Sequence, residues 1–464
     1  MNTKIIENLQ VIDISSEGLA VAKHNELVIF IANAVPGDII DVEITRKKNK
    51  YAEGKAIKFH SYSEKRANPA CSHFGVCGGC KWQNIDYKYQ LEFKQKQVVD
   101  ALTRIGKIDI KEIRSIKPSA NHYNYRNKLE FTFSAKKWLT NEQIKSEEKF
   151  ENRNGLGFHI PRMFDKVLDI DKCYLQDDFS NDVRDTVKEY ALQNNVSFYD
   201  IREQKGLLRN LLIRNTTIGE WMVAVVFFEN EKEVIEGLMN HLKSTFPQIT
   251  SLLYFINHKK NDTVGDLPFT VFSGKDHIVE KFGEIEYKIG PKSFFQTNPV
   301  QAHEMYKAVL DLADLKGNEL VYDLYTGTGS IANFVAHKAL AVVGIEYVKE
   351  ATDDAKYNSE INKITNTSFF AGDMKDILTT DFVAANGKPD VIITDPPRAG
   401  MHEDVVNRIK EIVPDKIVYV SCNPATQARD LALLKELYEV VLIQPFDMFP
   451  HTTHVENIAL LHKR

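Results

Sequence analysis

Val321-Tyr322-Asp323-Leu324-Tyr325-Thr326-Gly327-Thr328-Gly329-Ser330 decides the reading of this chain. An apolar strand runs into a glycine-rich turn, and a helical pattern begins at Ser330. Glycines at such a turn let backbone approach a ligand without side-chain obstruction. Glu346 ends the next strand, 23 residues after Asp323. An acid at that spacing commonly accepts hydrogen bonds from ribose hydroxyls. The spacing Gly327-x-Gly329-x-x-Ala332 also satisfies a loose dinucleotide fingerprint. Alone, the turn specifies an adenosine-type ligand and leaves NAD and S-adenosylmethionine open.

Strand-like and helical segments alternate outward from this turn. Strands are expected at Leu320–Tyr325, Ala341–Glu346, Thr367–Asp373, Asp390–Thr394, Lys416–Val420, Tyr438–Gln444 and Asn457–Leu461. Helices are expected at Ser330–Lys338 and Thr426–Tyr438. This alternation predicts a Rossmann-like α/β domain over 292–464, with a mostly parallel seven-stranded sheet. The short gap between the last two strands predicts a terminal antiparallel pair.

Three further motifs fall at predicted strand ends of this sheet. Asp395-Pro396-Pro397-Arg398 has two successive positions without a backbone N–H, giving a rigid, carbonyl-rich loop. Asp395 is placed to orient a ligand group, and Arg398 to hold an anion or carbonyl oxygen. Ser421-Cys422-Asn423-Pro424 puts one thiol beside the same cleft. Buried cysteines are usually inert, but two neighbouring ligand loops favour a nucleophile here. His451-Thr452-Thr453-His454-Val455-Glu456 offers Glu456 as a base, while its two histidines lack a third metal ligand at fitting spacing.

The 464-residue chain, 53.0 kDa, suggests two to four domains. Residues 1–60 read as a five-stranded OB-like barrel, from the alternation in Leu27–Ile31 and Asp41–Ile44 and the turn at Pro36-Gly37-Asp38. Ile44 to Arg66 carries eight Lys or Arg against two acids, with Tyr51, Phe59 and Tyr62 interleaved. Arg46, Lys47, Lys48 and Lys50 are candidate RNA contacts, or else a solvated strand edge. With a net charge of −5, nucleic-acid affinity must come from such local patches. Residues 61–291 read as a central mixed α+β domain, with a helix at 85–105, strands at Leu129–Phe133 and Met222–Phe228, and an exposed loop at 140–153.

Five cysteines without a secretion signal argue against a disulfide framework. Cys71-x5-Cys77-x2-Cys80, with Cys173 as a distant fourth, asks for zinc or an iron–sulfur cluster. The three-plus-one spacing, with Gly75, Gly78 and Gly79 allowing a tight wrap, favours [4Fe–4S]. No apolar run approaches a bilayer span, which predicts a cytoplasmic protein without membrane contact.

The barrel, the four cysteines, Ser293-Phe294-Phe295-Gln296-Thr297-Asn298, the glycine turn, Asp395-Pro396-Pro397-Arg398, Ser421-Cys422-Asn423-Pro424 and His454-Val455-Glu456 together resemble the RNA uridine C5-methyltransferase family. The barrel looks like that family's TRAM domain, and barrel plus cysteines most resemble the branch acting on bacterial 23S ribosomal RNA. The resemblance implies Cys422 as nucleophile and Glu456 as the base that removes the C5 proton. It implies an S-adenosylmethionine site lined by Gln296, Tyr325, Gly327, Gly329, Ser330, Glu346, Asp373 and Asp395. It implies a [4Fe–4S] cluster on Cys71, Cys77, Cys80 and Cys173, an RNA partner, and no obligate protein partner. Thr326 and Ser330 depart from the family's frequent Cys and Asn. A cytosine C5-methyltransferase commonly has a second cysteine in its proline loop, which is missing here. An NAD oxidoreductase leaves Cys422 and Glu456 unexplained, and a non-catalytic RNA-binding protein is the third alternative.

Overall fold

The computed structural model describes residues 4–139, 141–146 and 152–464. Strands β1 (Ile5–Ile14), β2 (Ala20–His24), β3 (Leu27–Ala32), β4 (Ile39–Lys47) and β5 (Tyr51–Ser61) close a barrel in the order β1-β2-β3-β5-β4. Alternate residues such as Ile29, Ile31, Ile40, Val42 and Ala52 fill it. Gly54 is required by close packing, since a Cβ there would lie 2.4 Å from Val42 Cγ1. Asp38 then ties the turn before β4 to the segment leaving β5. Its buried carboxylate accepts from Val35 N (2.7 Å), Ser63 N (2.9 Å) and Arg66 Nη2 (2.6 Å).

Helix α1 (Tyr87–Asp100) starts on Asp86, whose carboxylate accepts from Lys88 N, and continues into a π-turn over Ala101–Ile105. The strand β6 (Ile110–Ile113) comes next. A second sheet contains β7 (Lys128–Ser134), β8 (Gly155–His159), β9 (Val167–Asp169), β10 (Leu208–Asn215), β11 (Trp221–Phe227), β12 (Ile249–Ile256) and β13 (Phe269–Gly274), in the order β13-β12-β11-β10-β7-β8-β9. A helix α2 (Asn141–Lys145) occupies part of the stretch expected to be a loop; its polar sequence has no apolar stripe to announce a helix. Thr140 and 147–151, also in that stretch, lie outside the described residues. Helices α3 (Asp178–Gln193) and α4 (Lys232–Thr245) bury Val183, Val187, Leu238 and Leu242 against this sheet, beside Phe131 and Val223. A hairpin, β14 (Ile278–Phe282) and β15 (Ile285–Ile289), leads to α5 (Pro299–Ala313).

The remaining elements alternate as expected: β16 (Leu320–Leu324), α6 (Ser330–Val335), β17 (Ala341–Glu346), α7 (Lys349–Ile361), β18 (Thr367–Ala371), α8 (Met374–Ile377), α9 (Thr380–Asn386), β19 (Val391–Thr394), α10 (Glu403–Ile412), β20 (Lys416–Ser421), α11 (Pro424–Leu434), β21 (Tyr438–Phe446) and β22 (Glu456–Lys463). They form an eight-stranded sheet, β18-β17-β16-β19-β20-β22-β21-β6, with β22 antiparallel to both neighbours. The sequence pattern predicts seven of these strands; the eighth is β6, which pairs in parallel with the edge strand β21. Its sequence, Ile110-Lys111-Glu112-Ile113, buries too little to show an alternating pattern. The α1–π-turn unit packs on α11, with Val98 and Leu102 in the core beside Ala428 and Leu431. No helix among the described residues is long and apolar enough to cross a membrane.

Candidate active site

A cavity of about 1340 Å³ opens at the carboxyl ends of β16, β17, β19 and β20, where α/β sheets bind ligands. The glycine turn forms one wall. Tyr325, Gly327 and Gly329 all have positive φ, 64°, 57° and 72°. Gly329 is fixed twice over, because a Cβ would also meet Asn333 Nδ2 and Ala355 Cβ at 2.9 Å. Buried Asp323 braces the turn by accepting from Thr326 Oγ1 and from Ala332 N (3.0 Å). Glu346 accepts from Gly327 N (3.0 Å) and Val348 N (2.9 Å), so strand end and turn are tied together. Burial raises the Asp323 carboxyl to about 7, with the Glu346 charge adding to it.

Gln296, Tyr325, Gly327, Ser330, Glu346, Asp373 and Asp395 all line this cavity. Gly329 sits behind the turn, shaping it. Ser330 turns its hydroxyl toward Tyr306 OH (3.0 Å). Asp373 caps α8 by accepting from Lys375 N (3.2 Å). Exposed rings of Phe294 and Tyr347 (71% and 72%) border the same cavity. Phe294 belongs to the Ser293–Asn298 motif, where only Gln296 is given a role; Tyr347 stands directly after the strand-end acid Glu346, a position that signals it in the sequence.

Cys422, just past the end of β20, and Glu456, the first residue of the antiparallel β22, both line the cavity. The ladder ends at the pair Ser421–Asn457; Cys422 follows the end of β20 and Glu456 precedes Asn457, and the Glu456 charge acts on the Cys422 thiol. Residues distant in sequence meet here because β22 is inserted beside β20. Asp395 completes the acid group. Burial pushes the Cys422 thiol up to about 12; the Glu456 and Asp395 charges add to it, and Arg398 opposes it. Burial also raises Glu456 well above the usual carboxylate range, reinforced by Asp395. Asp395 itself rises to about 7 through burial and the Asp323 charge. Carboxylates held this way are stronger bases than exposed ones.

Arg398 Nη2 lies 2.9 Å from His454 Nδ1. Desolvation, then the charges of Arg398, Lys94 and Arg126, lower His454 to about 4, so its neutral ring accepts from the guanidinium. The loop carrying Arg398 is held by its own carbonyl, which accepts from Asn423 Nδ2 (3.0 Å) and Thr426 Oγ1 (3.2 Å).

The segment between β21 and Glu456 is anchored from outside the catalytic sheet. Fully buried Lys94 of α1 bonds Asp447 Oδ1 (2.6 Å) and Phe449 O (2.9 Å). Tyr87 OH donates to Asp447 Oδ2 (2.8 Å). The His451 carbonyl accepts from Lys81 N and Trp82 N, and Gln90 Oε1 accepts from His451 N (2.8 Å). This clamp is invisible in the sequence, because Gln90 and His451 are 361 positions apart.

Cys71, Cys77, Cys80 and Cys173 are free thiols. Burial raises all four, Cys80 to about 12 and Cys173 to about 11, and the charges of Cys71 and Cys77 raise both Cys80 and Cys173 further. The fold therefore brings Cys173 to the three clustered thiols. Among the described residues no three His, Cys, Asp or Glu side chains converge as a single-ion site.

On the barrel, Lys47, Lys48 and Lys50 are exposed, Lys48 lies over the Tyr51 ring at 5.2 Å, and Arg46 is drawn toward Glu53 at 3.8 Å. Phe59 and Tyr62 stack at 5.0 Å under the Arg66 guanidinium.

A sheet in this strand order, with an antiparallel strand inserted beside its last parallel edge and a cofactor turn after its first strand, defines a class I S-adenosylmethionine-dependent methyltransferase. The profile of the tRNA (uracil-5-)-methyltransferase family matches residues 274–464, and that of the TRAM domain matches 6–57. The chain belongs to the RNA uracil C5-methyltransferase family. An RNA methyltransferase of Bacteroides thetaiotaomicron is 57% identical over 453 residues, covering 97% of this chain and all of the relative. One from Porphyromonas gingivalis is 51% identical, covering 98% and 99%. The solved Pyrococcus abyssi tRNA (uracil-54, C5)-methyltransferase, bound to S-adenosyl-L-homocysteine, is 29% identical with a TM-score of 0.75, covering 97% of this chain and 99% of that one.

Proposed function

We propose that this protein transfers the methyl group of S-adenosylmethionine to C5 of a uridine in RNA through a covalent adduct on Cys422. The observation that supports this reading is that Cys422 and Glu456, the residues next to the last β20–β22 pair Ser421–Asn457, both line the cavity. Uracil C5 is a poor nucleophile. Addition of the Cys422 thiolate to C6 makes an enolate and concentrates electron density on C5. C5 then displaces S-adenosylhomocysteine from the methyl group. Glu456 takes the C5 proton, the C5–C6 double bond re-forms, and the Cys422 thiolate leaves. Arg398, the cation that opposes the rise of the Cys422 thiol, favours its thiolate and is placed to hold a uracil oxygen. The sulfonium charge of the cofactor favours ionised Asp323 and Asp395 in the same cavity.

Gln296, Tyr325, Gly327, Gly329, Ser330, Glu346, Asp373 and Asp395 are the proposed cofactor residues. Arg46, Lys47, Lys48 and Lys50 are proposed as backbone contacts on the barrel. Cys71, Cys77, Cys80 and Cys173 are proposed to hold [4Fe–4S], which would supply positive charge to four otherwise protonated thiols and fix the segment leading to Trp82. The barrel and cysteine set support 23S ribosomal RNA as substrate, in the cytoplasm. Transfer RNA is the second reading, favoured by the Pyrococcus abyssi enzyme: it matches this chain over nearly its whole length, so extra N-terminal domains do not exclude a tRNA substrate.

The deciding experiment offers 5-fluorouridine transcripts of both RNAs to the protein with S-adenosylmethionine. Fluorine at C5 cannot leave as a proton, so the adduct should survive denaturation and disappear in Cys422→Ala. A bound transcript without adduct would refute the nucleophile assignment.

A further inference from the structure

The face of the β7–β10 sheet turned toward the catalytic domain carries an arrangement that folding alone does not favour. Lys128 of β7 stands directly opposite Arg214 of β10. Like charges in a cross-strand pair destabilise the sheet. Lys128 is half-buried and Arg214 only 5% exposed. Arg214 Nη2 donates to Ser293 O (2.7 Å), but its buried Nε has no partner. Burial and the Arg214 charge both lower the Lys128 ammonium, with Glu130 as the acid that offsets them.

This pair begins a chain of cations. Arg126 Nε donates to Lys128 O (2.9 Å), and the Arg126 side chain lines the cofactor cavity. Arg126 acts electrostatically on His454, which contacts Arg398, and Arg398 acts on Cys422. The same stretch braces the Gln296 loop: Asn127 N donates to Thr297 O (2.8 Å) and Asn127 Nδ2 to Gln296 O (3.1 Å). Two cations, Arg126 and Arg398, thus stand on either side of the neutral His454 ring between the sheet corner and Cys422.

We propose that Lys128 and Arg126, backed by buried Arg214, bind a phosphodiester of the RNA strand beside the target uridine. The proposal rests on the RNA reading above and adds the place where the strand leaves the cavity. Glu130, 3.7 Å from Lys128 Nζ and partly exposed, is the acid set against three cations here; a phosphate would add the anionic charge that Lys128, Arg126 and Arg214 together leave unmatched. Because Asn127 links the corner to Gln296, RNA seated there would also bear on the cofactor loop.

The test measures binding of a uridine oligonucleotide and of total bacterial RNA to the full-length protein across a salt series, with melting temperature recorded for each variant. Lys128→Gln and Arg126→Gln should each weaken binding on the order of tenfold and lower the salt slope by about 0.7, one single-strand phosphate contact. Lys128→Gln should hold or raise the melting temperature, since it relieves the opposed charges. Glu130→Gln should tighten binding. Wild-type salt slopes in Lys128→Gln and Arg126→Gln overturn the proposal while leaving the RNA reading intact. A lowered melting temperature with unchanged slope makes Lys128 a folding residue and also overturns it. Wild-type protein that binds neither RNA overturns both.

Discussion

Replacing Lys94 by Met isolates the clamp that holds the segment before Glu456. Lys94 and Asp447 are both fully buried, with Nζ 2.6 Å from Oδ1. After the change, Asp447 keeps Tyr87 OH at 2.8 Å and Phe449 N at 3.1 Å, while the Phe449 carbonyl loses its 2.9 Å donor. A charge left buried without its partner costs about 3–5 kcal/mol. Removing both charges, as Lys94→Met with Asp447→Leu, should recover at least about 2 kcal/mol of the summed single costs, because well-packed apolar pairs replace buried ion pairs nearly neutrally. Trp82 reports on this region directly, being 1% exposed with its ring 5.9 Å from Lys94 Nζ. Urea titrations followed by Trp82 fluorescence, with Trp138 and Trp221 changed to Phe, give the four corners of the cycle. Methyl transfer should fall in kcat with the cofactor KM nearly unchanged, since the clamp leads to Glu456 and not to the glycine turn. A single-variant cost below about 1 kcal/mol, or strict additivity of the pair, would show that water reaches the site and would refute the buried-pair reasoning.

Four other outcomes are expected. Iodoacetamide should modify Cys422 more slowly in Arg398→Gln, which loses the cation opposing the thiol's rise to about 12, and faster with S-adenosylmethionine than with uncharged S-adenosylhomocysteine; equal rates would mean the thiol does not sense these charges. Gly327→Ala, with no atom within 4 Å of the added Cβ, should lose only the 1–2 kcal/mol or so of a left-handed alanine, whereas Gly329→Ala should lose more and weaken cofactor binding in calorimetry; equal costs would refute the packing argument. Burial holds His451 at about 4 against 6.5, so the folded state binds fewer protons between those values. The His451 contribution should therefore cost roughly 3 kcal/mol as pH drops from 6.5 to 4, read as the difference between the pH–stability profiles of wild type and His451→Asn; parallel profiles would show that His451 does not carry it. Protein purified without oxygen should be brown and bleach on chelation or oxidation; a colourless preparation with stoichiometric zinc would refute the iron–sulfur proposal.

What is legible in the sequence divides by range. The catalytic sheet can be read because each strand is a short apolar run closed by a local signal: Asp323 to Gly329, Asp395-Pro396-Pro397, Asn423-Pro424. The barrel can be read because Ile29 and Ile31, or Ile40 and Val42, alternate with polar neighbours as a half-buried surface requires. The polar stretch at α2 and the strand β6 give no such pattern. Ile110-Lys111-Glu112-Ile113 becomes a strand only because β21 offers an open edge, and an edge is a property of the assembled sheet.

The same distinction explains which parts of the site are hidden from a linear reading. Cys422 and Glu456 are each identifiable as residue types, but what makes them a pair is the antiparallel insertion of β22, a fact of topology. Lys128 shows the converse case. Lysine in a strand beginning at a sheet end reads as an ordinary solvated residue until β10 places Arg214 across from it. Only then is it one of two opposed cations set against the single acid Glu130, 3.7 Å away. Positions where local reading and tertiary structure conflict are where function is expected to have overridden stability; the opposed cations at Lys128 and the positive φ of Tyr325, which lines the cavity, are two such positions.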